Sequence, residues 1–100
     1  MNAKVEDVLK ATYIVKIKNS DYNMETEIVV TCYENSPERK YRYSIVTDTV
    51  VTTNFPKVGI TKRGRSVRWV YNHRTRQKAN EKFAELMKQW KRKNAEITKL

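Results

Sequence analysis

The chain has 100 residues, a formal net charge of +10 at pH 7, 39% hydrophobic residues and one cysteine. This length predicts a single domain over residues 1–100, and the hydrophobic fraction excludes a disordered chain. The lone cysteine excludes a disulfide framework and a cysteine-based zinc site within one chain. The sequence contains no signal-peptide pattern and no membrane-length apolar run. Together these features predict a cytoplasmic protein without a membrane partner.

The first third of the chain has the pattern of an antiparallel sheet. Residues 11–18 alternate between apolar and polar, and residues 24–33 are rich in β-branched side chains, so both stretches predict strands. A turn cluster at residues 19–23 separates them, and residues 34–38 form a second turn. Before the first strand, residues 5–9 predict a short helical turn.

The middle of the chain predicts further strands. Residues 40–47 alternate again. Residues 49–53 either continue that strand beyond a bulge or form a separate strand, because Asp48 is the only turn-like residue between them.

A tight hairpin is predicted in the most basic part of the chain. Gly64 lies between the apolar stretches 57–60 and 66–71, and glycine supplies the positive φ that a tight turn needs. In the second stretch, Trp69 and Tyr71 are expected on one face and Arg68 on the other.

The hydrophobic period then changes to that of a helix. Thr75 is the predicted N-cap of a helix over residues 76–94. An apolar stripe runs along it, formed by Ala79, Phe83, Leu86, Met87 and Trp90. The predicted fold class is therefore α+β: an antiparallel sheet of four to six strands, packed on one face by one long C-terminal amphipathic helix.

The charge of the chain is concentrated in its second half. Residues 1–48 contain seven Lys and Arg against eight Asp and Glu, a net charge of −1, whereas residues 49–100 contain fourteen against three, a net charge of +11. No acidic residue lies between Asp48 and Glu81. Such asymmetry predicts a polyanionic partner rather than a merely soluble surface, which usually mixes both signs.

Eight cations in this window are the candidate binding residues for nucleic acid: Lys57, Lys62, Arg63, Arg65, Arg68, Arg74, Arg76 and Lys78. The last three lie at the predicted helix start, where cations oppose the helix dipole and folding gives no reason for them. A bound anion would give a reason, since the free N–H groups of a helix start favour negative charge. We expect an anion site formed by the helix start together with the basic hairpin.

Catalytic and metal chemistry find little support in the sequence. His73 is the only histidine, and the cations around it lower its pKa. Cys32 lies in an apolar strand and is interpreted as core. No metal-ligand cluster, phosphate loop or nucleophile motif is present, so we expect no enzyme activity, no catalytic residue, no metal and no cofactor.

Four aromatic residues are each open to two interpretations. Trp90 belongs to the helix stripe and is interpreted as core. Trp69 is interpreted as core, with contact to nucleic-acid bases as the alternative. Tyr41 and Tyr43 share a predicted strand face, where they either pack under the helix, which we favour, or stack on exposed bases.

The order of elements resembles a WGR-type domain, a small sheet-and-helix module associated with nucleic-acid binding, over residues 41–94. In this resemblance Phe55-Pro56-Lys57-Val58-Gly59 occupies the signature, although Trp, Gly and Arg of the signature are replaced. Residues 61–68 resemble the following hairpin and strand. The resemblance implies that Phe55 and Lys57 contact nucleic acid.

The leading functional hypothesis is a non-enzymatic nucleic-acid-binding protein that grips the phosphate backbone. RNA or single strands are slightly preferred over duplex DNA, because no recognition-helix motif is visible. The alternative is a small phage-type inhibitor or adaptor that binds a host protein or a ribonucleoprotein through its basic face. Binding to a membrane surface is a third hypothesis, which we do not favour because the apolar stripe of the helix is already explained as core.

Overall fold

The computed structural model describes residues 11–19, 23–55 and 57–100, so the helical turn predicted at residues 5–9 lies outside the described residues. The elements, in chain order, are β1 (Ala11–Asn19), β2 (Met24–Glu34), β3 (Tyr43–Phe55), β4 (Ile60–Arg63), β5 (Val67–His73), α1 (Arg76–Arg92) and β6 (Glu96–Lys99). The α+β class is confirmed: one antiparallel sheet of six strands is joined by a helix of 17 residues that follows five of them.

Each strand of the sheet pairs with an antiparallel neighbour. The order is β4-β3-β2-β1-β6, and β5 also pairs with β3. The pairing of β2 with β3 runs unbroken from Met24 opposite Thr53 to Glu34 opposite Tyr43. Asp48 therefore lies inside one 13-residue strand, and no separate strand begins after it.

The turn predicted around Gly64 is wrong. Phe55 pairs with Ile60, so the chain reverses between these two residues. Gly59 has φ +67 and supplies the left-handed conformation that this turn requires. The basic residues that follow consequently lie on a strand and not on a turn.

Gly64 lies instead at a β-bulge that separates β4 from β5. Residues 64–66 oppose only Val50 and Val51 of β3, so one extra residue is present on the outer strand. The Gly64 N–H donates to the Val51 carbonyl at 2.8 Å, and a Cβ on Gly64 would lie 3.2 Å from the same oxygen. Close approach of two backbones, not a positive φ, is the reason for glycine here.

The bulge decides which residues of β5 face the helix. Beyond it, Tyr71 pairs with Ile45 and packs against the core under α1. Trp69 lies two residues earlier in the same strand and therefore shares that face. Arg68 and Val70 point to the opposite side, as the alternation predicts. We call this uncovered side of the sheet the open face.

The helix packs its predicted stripe against the sheet. Thr75 is the N-cap, because its hydroxyl accepts a hydrogen bond from the Lys78 N–H at 3.2 Å. Ala79, Leu86 and Trp90 are buried, and the stripe meets a sheet core formed by Val15, Ile28, Val30 and Ile45. The 17-residue helix is about 25 Å long. Lys93, directly after the helix, lines a cavity with Thr49 of β3. The part of β3 after Thr49 and all of β4 therefore project beyond the C-terminal end of the helix.

A strand after the helix was not predicted. The helix ends at Arg92, and Asn94 adopts the left-handed conformation with φ 58, which turns the chain back. The Ala95 N–H then donates to the Trp90 carbonyl at 3.1 Å. β6 pairs with the outer edge of β1, where Ile97 opposes Val15 and adds to the core.

Candidate nucleic-acid interface

Half of the predicted cations lie on the projecting end of the sheet. Lys57 is in the turn, Lys62 and Arg63 are in β4, and Arg65 is in the bulge. We call these four residues the basic arm. All residues from 57 to 70 are exposed, so the arm is accessible along its whole length.

The helix start carries the second group, Arg74, Arg76 and Lys78. The seven residues of β5 separate it from the bulge, a distance of about 23 Å along the strand. The expected single anion site, formed jointly by the helix start and the basic hairpin, is therefore wrong. The structure places these cations in two groups at opposite ends of β5, with Arg68 between them.

Two of the eight predicted residues already have acidic partners. Arg68 lies 2.8 Å from Asp48, and Lys78 lies 3.8 Å from Glu81. The hydrogen bond and the charge of Asp48 raise the pKa of Arg68. The other six have no acidic partner within the part of the chain that the structure describes: Lys57, Lys62, Arg63, Arg65, Arg74 and Arg76.

The two tryptophans have opposite environments. Trp90 is 6% exposed and belongs to the core, as predicted. Trp69 is 60% exposed, so the preferred interpretation of Trp69 as core is wrong. Its ring lies 6.4 Å from that of Tyr71.

Tyr41 and Tyr43 do not share a strand face. β3 begins at Tyr43, which is half-buried and lines a cavity with Ala79 and Phe83 near the helix start. Tyr41 precedes the strand and is 36% exposed. The Arg74 guanidinium lies 5.9 Å from the centre of the Tyr41 ring and the Lys40 ammonium lies 5.5 Å from it, within cation–π range.

A groove of about 690 Å³ lies on the open face beside the connection between β2 and β3. The groove has a sheet side and a loop side. Its sheet side is formed by Tyr33, Ser44, Val46, Arg68, Val70 and Asn72. Its loop side is formed by Asn35, Arg39, Lys40 and Tyr41. The lining thus combines three cations, two tyrosines and two amides with no carboxylate.

The buried hydroxyl of Ser44 organises the groove. Asn35 Nδ2 donates to Ser44 Oγ at 2.8 Å and to the Tyr41 carbonyl at 3.0 Å. Ser44 Oγ donates in turn to Asn72 Oδ1 at 2.7 Å. Because the carbonyl only accepts, it fixes the orientation of the Asn35 amide, and the remaining Ser44 proton fixes that of Asn72. The network ties the loop to two strands.

Sequence reasoning missed the groove for two reasons. Arg39 and Lys40 belong to the half of the chain whose net charge is −1, so their local concentration was hidden by distant acidic residues. Tyr33 and Asn72 lie 39 positions apart and come together only through the pairing of both strands with β3. The basic and aromatic stretch at residues 39–43 was the signal that could have indicated it.

His73 and Cys32 lie on the helix side, away from the groove. Burial, assisted by the charge of Lys82, lowers the pKa of His73, and its Nε2 atom is buried without a hydrogen-bond partner among the described residues. Burial also raises the pKa of the Cys32 thiol, which packs against the core. A raised thiol pKa disfavours the nucleophilic thiolate.

Comparisons with protein-family models, with curated proteins and with solved structures found no match. The resemblance to a WGR-type domain thus stays a prediction that rests on the residues quoted for it. In the described ranges, no three His, Cys, Asp or Glu side chains come together as a metal site requires. None of the helical structure described is long and apolar enough to cross a bilayer.

Proposed function

We propose that this protein binds nucleic acid through the phosphate backbone without catalysing a reaction, and that it prefers RNA or single strands to duplex DNA. The observation that carries the proposal is the basic arm. Its four cations are exposed and have no acidic partner in the described part of the chain. Free cations of this kind neutralise phosphates and release the counterions condensed on nucleic acid.

The helix start supports the same proposal from the other end of β5. Arg76 occupies the first turn, which contains no acidic residue, and Arg74 is held against Tyr41. The helix itself packs its apolar stripe on the sheet. The preference for single strands over duplex rests on the absence of a recognition-helix motif from the sequence.

Fluorescence anisotropy with labelled RNA, single-stranded DNA and duplex DNA tests the proposal. Contact with about four to six phosphates predicts that log affinity falls against log salt with a slope of about −3 to −5 between about 50 and 200 mM salt. Absence of binding to all three at low salt would overturn the proposal.

A specific observation favours the second candidate function, an inhibitor or adaptor that binds a host protein or a ribonucleoprotein. The arm and β5 expose apolar side chains that phosphate contacts do not need: Val58, Ile60, Val67 and Trp69 are 67%, 51%, 58% and 60% exposed. Aromatic residues combined with arginine are typical of protein interfaces. Binding to a ribonucleoprotein, but not to its naked RNA, would favour this candidate.

A further inference from the structure

The groove contains an aromatic ring that no neighbouring ring or cation covers. Tyr33 pairs with Ser44 and Ser44 pairs with Asn72, so these residues form one row across three strands of the open face. Tyr33 is 43% exposed, and none of the ring and cation contacts in the described residues involves it. Exposed tyrosines on a sheet are the platforms on which unpaired bases stack.

The same row leaves an acceptor and a donor for a ligand. The network around Ser44 uses Asn35 Nδ2 and Asn72 Oδ1. Asn35 Oδ1 and Asn72 Nδ2 have no partner among the described residues, although both side chains line the groove. Every nucleobase presents at least one donor and one acceptor on its Watson–Crick edge, so one acceptor and one donor on a rigid frame can pair with it.

The loop side of the groove supplies positive charge. Arg39 and Lys40 are exposed and have no acidic partner within the described ranges. Arg74 adjoins them through its contact with Tyr41, which links the groove to the helix start. Arg68, at the far side, is held by Asp48. Cations therefore flank the uncharged ring and amides.

We infer that this groove binds one unpaired nucleotide of a single strand. The inference rests on the proposed function and adds a second surface that contacts nucleic acid, besides the basic arm. The base stacks on Tyr33, and its hydrogen-bonding edge meets the amides of Asn35 and Asn72. The adjoining phosphate lies against Arg39 and Lys40. A nucleotide in a duplex does not fit, because its edge is already paired and its faces are already stacked.

The test is an NMR titration of the full chain, in which the side-chain amide signals of Asn35 and Asn72 are followed directly. Short single-stranded RNA and DNA should each shift these signals saturably. A duplex of the same sequence and inorganic phosphate should leave them unmoved. Shifts with duplex equal to those with single strands would overturn the inference.

Variants of Tyr33 separate stacking from charge. Tyr33→Leu should lower affinity for single strands by about five- to one-hundred-fold, whereas Tyr33→Phe should retain it. Neither change should alter binding to duplex, which uses the basic arm. If Tyr33→Leu does not fold, Arg39→Ala in the exposed loop is the variant to use instead. The affinity of Arg39→Ala for single strands should fall, and the salt slope of its binding should be reduced by about 1.

The outcomes distinguish the groove from the proposed function. Signals of the basic arm that shift while those of Asn35 and Asn72 do not would refute the groove and leave the proposed function intact. Unchanged single-strand affinity in folded Tyr33→Leu would have the same meaning. A spectrum that no nucleic acid perturbs would refute both.

Discussion

Arg68 donates hydrogen bonds from Nε and Nη2 to the two carboxylate oxygens of Asp48, at 2.8 and 3.2 Å. The two residues are directly paired between β5 and β3, so the register of the sheet itself brings them together. One of the cations predicted to bind nucleic acid is thus compensated before any ligand arrives. Asp48 is the last acidic residue before the basic half of the chain, and it neutralises Arg68, which lies within the stretch that has no acidic residue of its own.

This relationship predicts that Asp48→Asn increases affinity for nucleic acid. The amide keeps the size of the carboxylate but removes its charge, so Arg68 becomes available to a phosphate. We expect the salt slope of binding to steepen by about 1. Anisotropy titrations over a salt series measure it.

The control for this prediction is the double variant Asp48→Asn/Arg68→Ala, in which the freed cation is absent. Its salt slope should return to that of wild type. If both variants bind more tightly by the same factor, the gain comes from general loss of negative charge and not from Arg68.

A second prediction concerns the basic arm. Arg63→Glu combined with Arg65→Glu should weaken binding to every nucleic acid, single-stranded or duplex, by at least about tenfold at low salt. Stability should change by less than about 0.5 kcal/mol per site, because both side chains are exposed. Circular dichroism confirms folding, and anisotropy measures affinity.

The matched control replaces Lys88 and Lys99 by glutamate. Lys88 is exposed on the helix, and Lys99 is exposed in β6, at the opposite edge of the sheet from β4. Both double variants change the net charge equally. Equal losses of affinity would mean that nucleic acid responds to total charge and that the basic arm is not a localised site.

The two glycines show what local sequence can and cannot predict. A turn and a glycine were both expected in this region, but the turn lies at Gly59 and the bulge at Gly64. Glycine meets both a positive φ and a close backbone approach, so residue type alone does not distinguish them. The pairing register with β3 decides, and register is a property of two distant segments.

The strands and the helix were predictable because their burial follows a local period. Thr75 and the apolar stripe lie where the pattern placed them. β6 was missed because Glu96–Lys99 is only four residues long and contains a single apolar position, Ile97. The groove was missed because Tyr33, Ser44 and Asn72 acquire their relation only from the order of strands in the sheet.

The two tryptophans provide a matched test of core against surface. Trp90→Ala should destabilise the protein by about 3–5 kcal/mol, because it empties a buried site under the helix. Trp69→Ala should change stability far less, since that ring is already 60% exposed. Urea unfolding of both variants measures the difference. Similar losses in the two would show that Trp69 contributes to the core after all.

The helix start gives a prediction about stability without a ligand. The first turn of α1 contains no acidic residue and begins with Arg76, whose charge opposes the helix dipole. Arg76→Glu should stabilise the free protein by about 0.3–1 kcal/mol, seen as a melting temperature raised by a few degrees. Arg76→Gln should give a smaller rise. A lower melting temperature in both would mean that Arg76 makes a stabilising contact that outweighs the dipole.

The last prediction concerns pH. Burial, together with the charge of Lys82, lowers the pKa of His73 below its ordinary value of 6.5, so the folded state disfavours protonation of this imidazole. The unfolded chain takes up the proton near pH 6.5, and because it binds more protons than the folded state, stability falls as the pH falls below that value. A proton on the buried Nε2 would also have no acceptor among the described residues.

Melting temperatures measured from about pH 7.5 down to about 5.5 should therefore decline, and His73→Gln should flatten the decline. Lys82→Gln should flatten it only in part, because it removes the neighbouring charge and leaves the burial. An equal decline in wild type and His73→Gln would place the titrating group elsewhere in the chain.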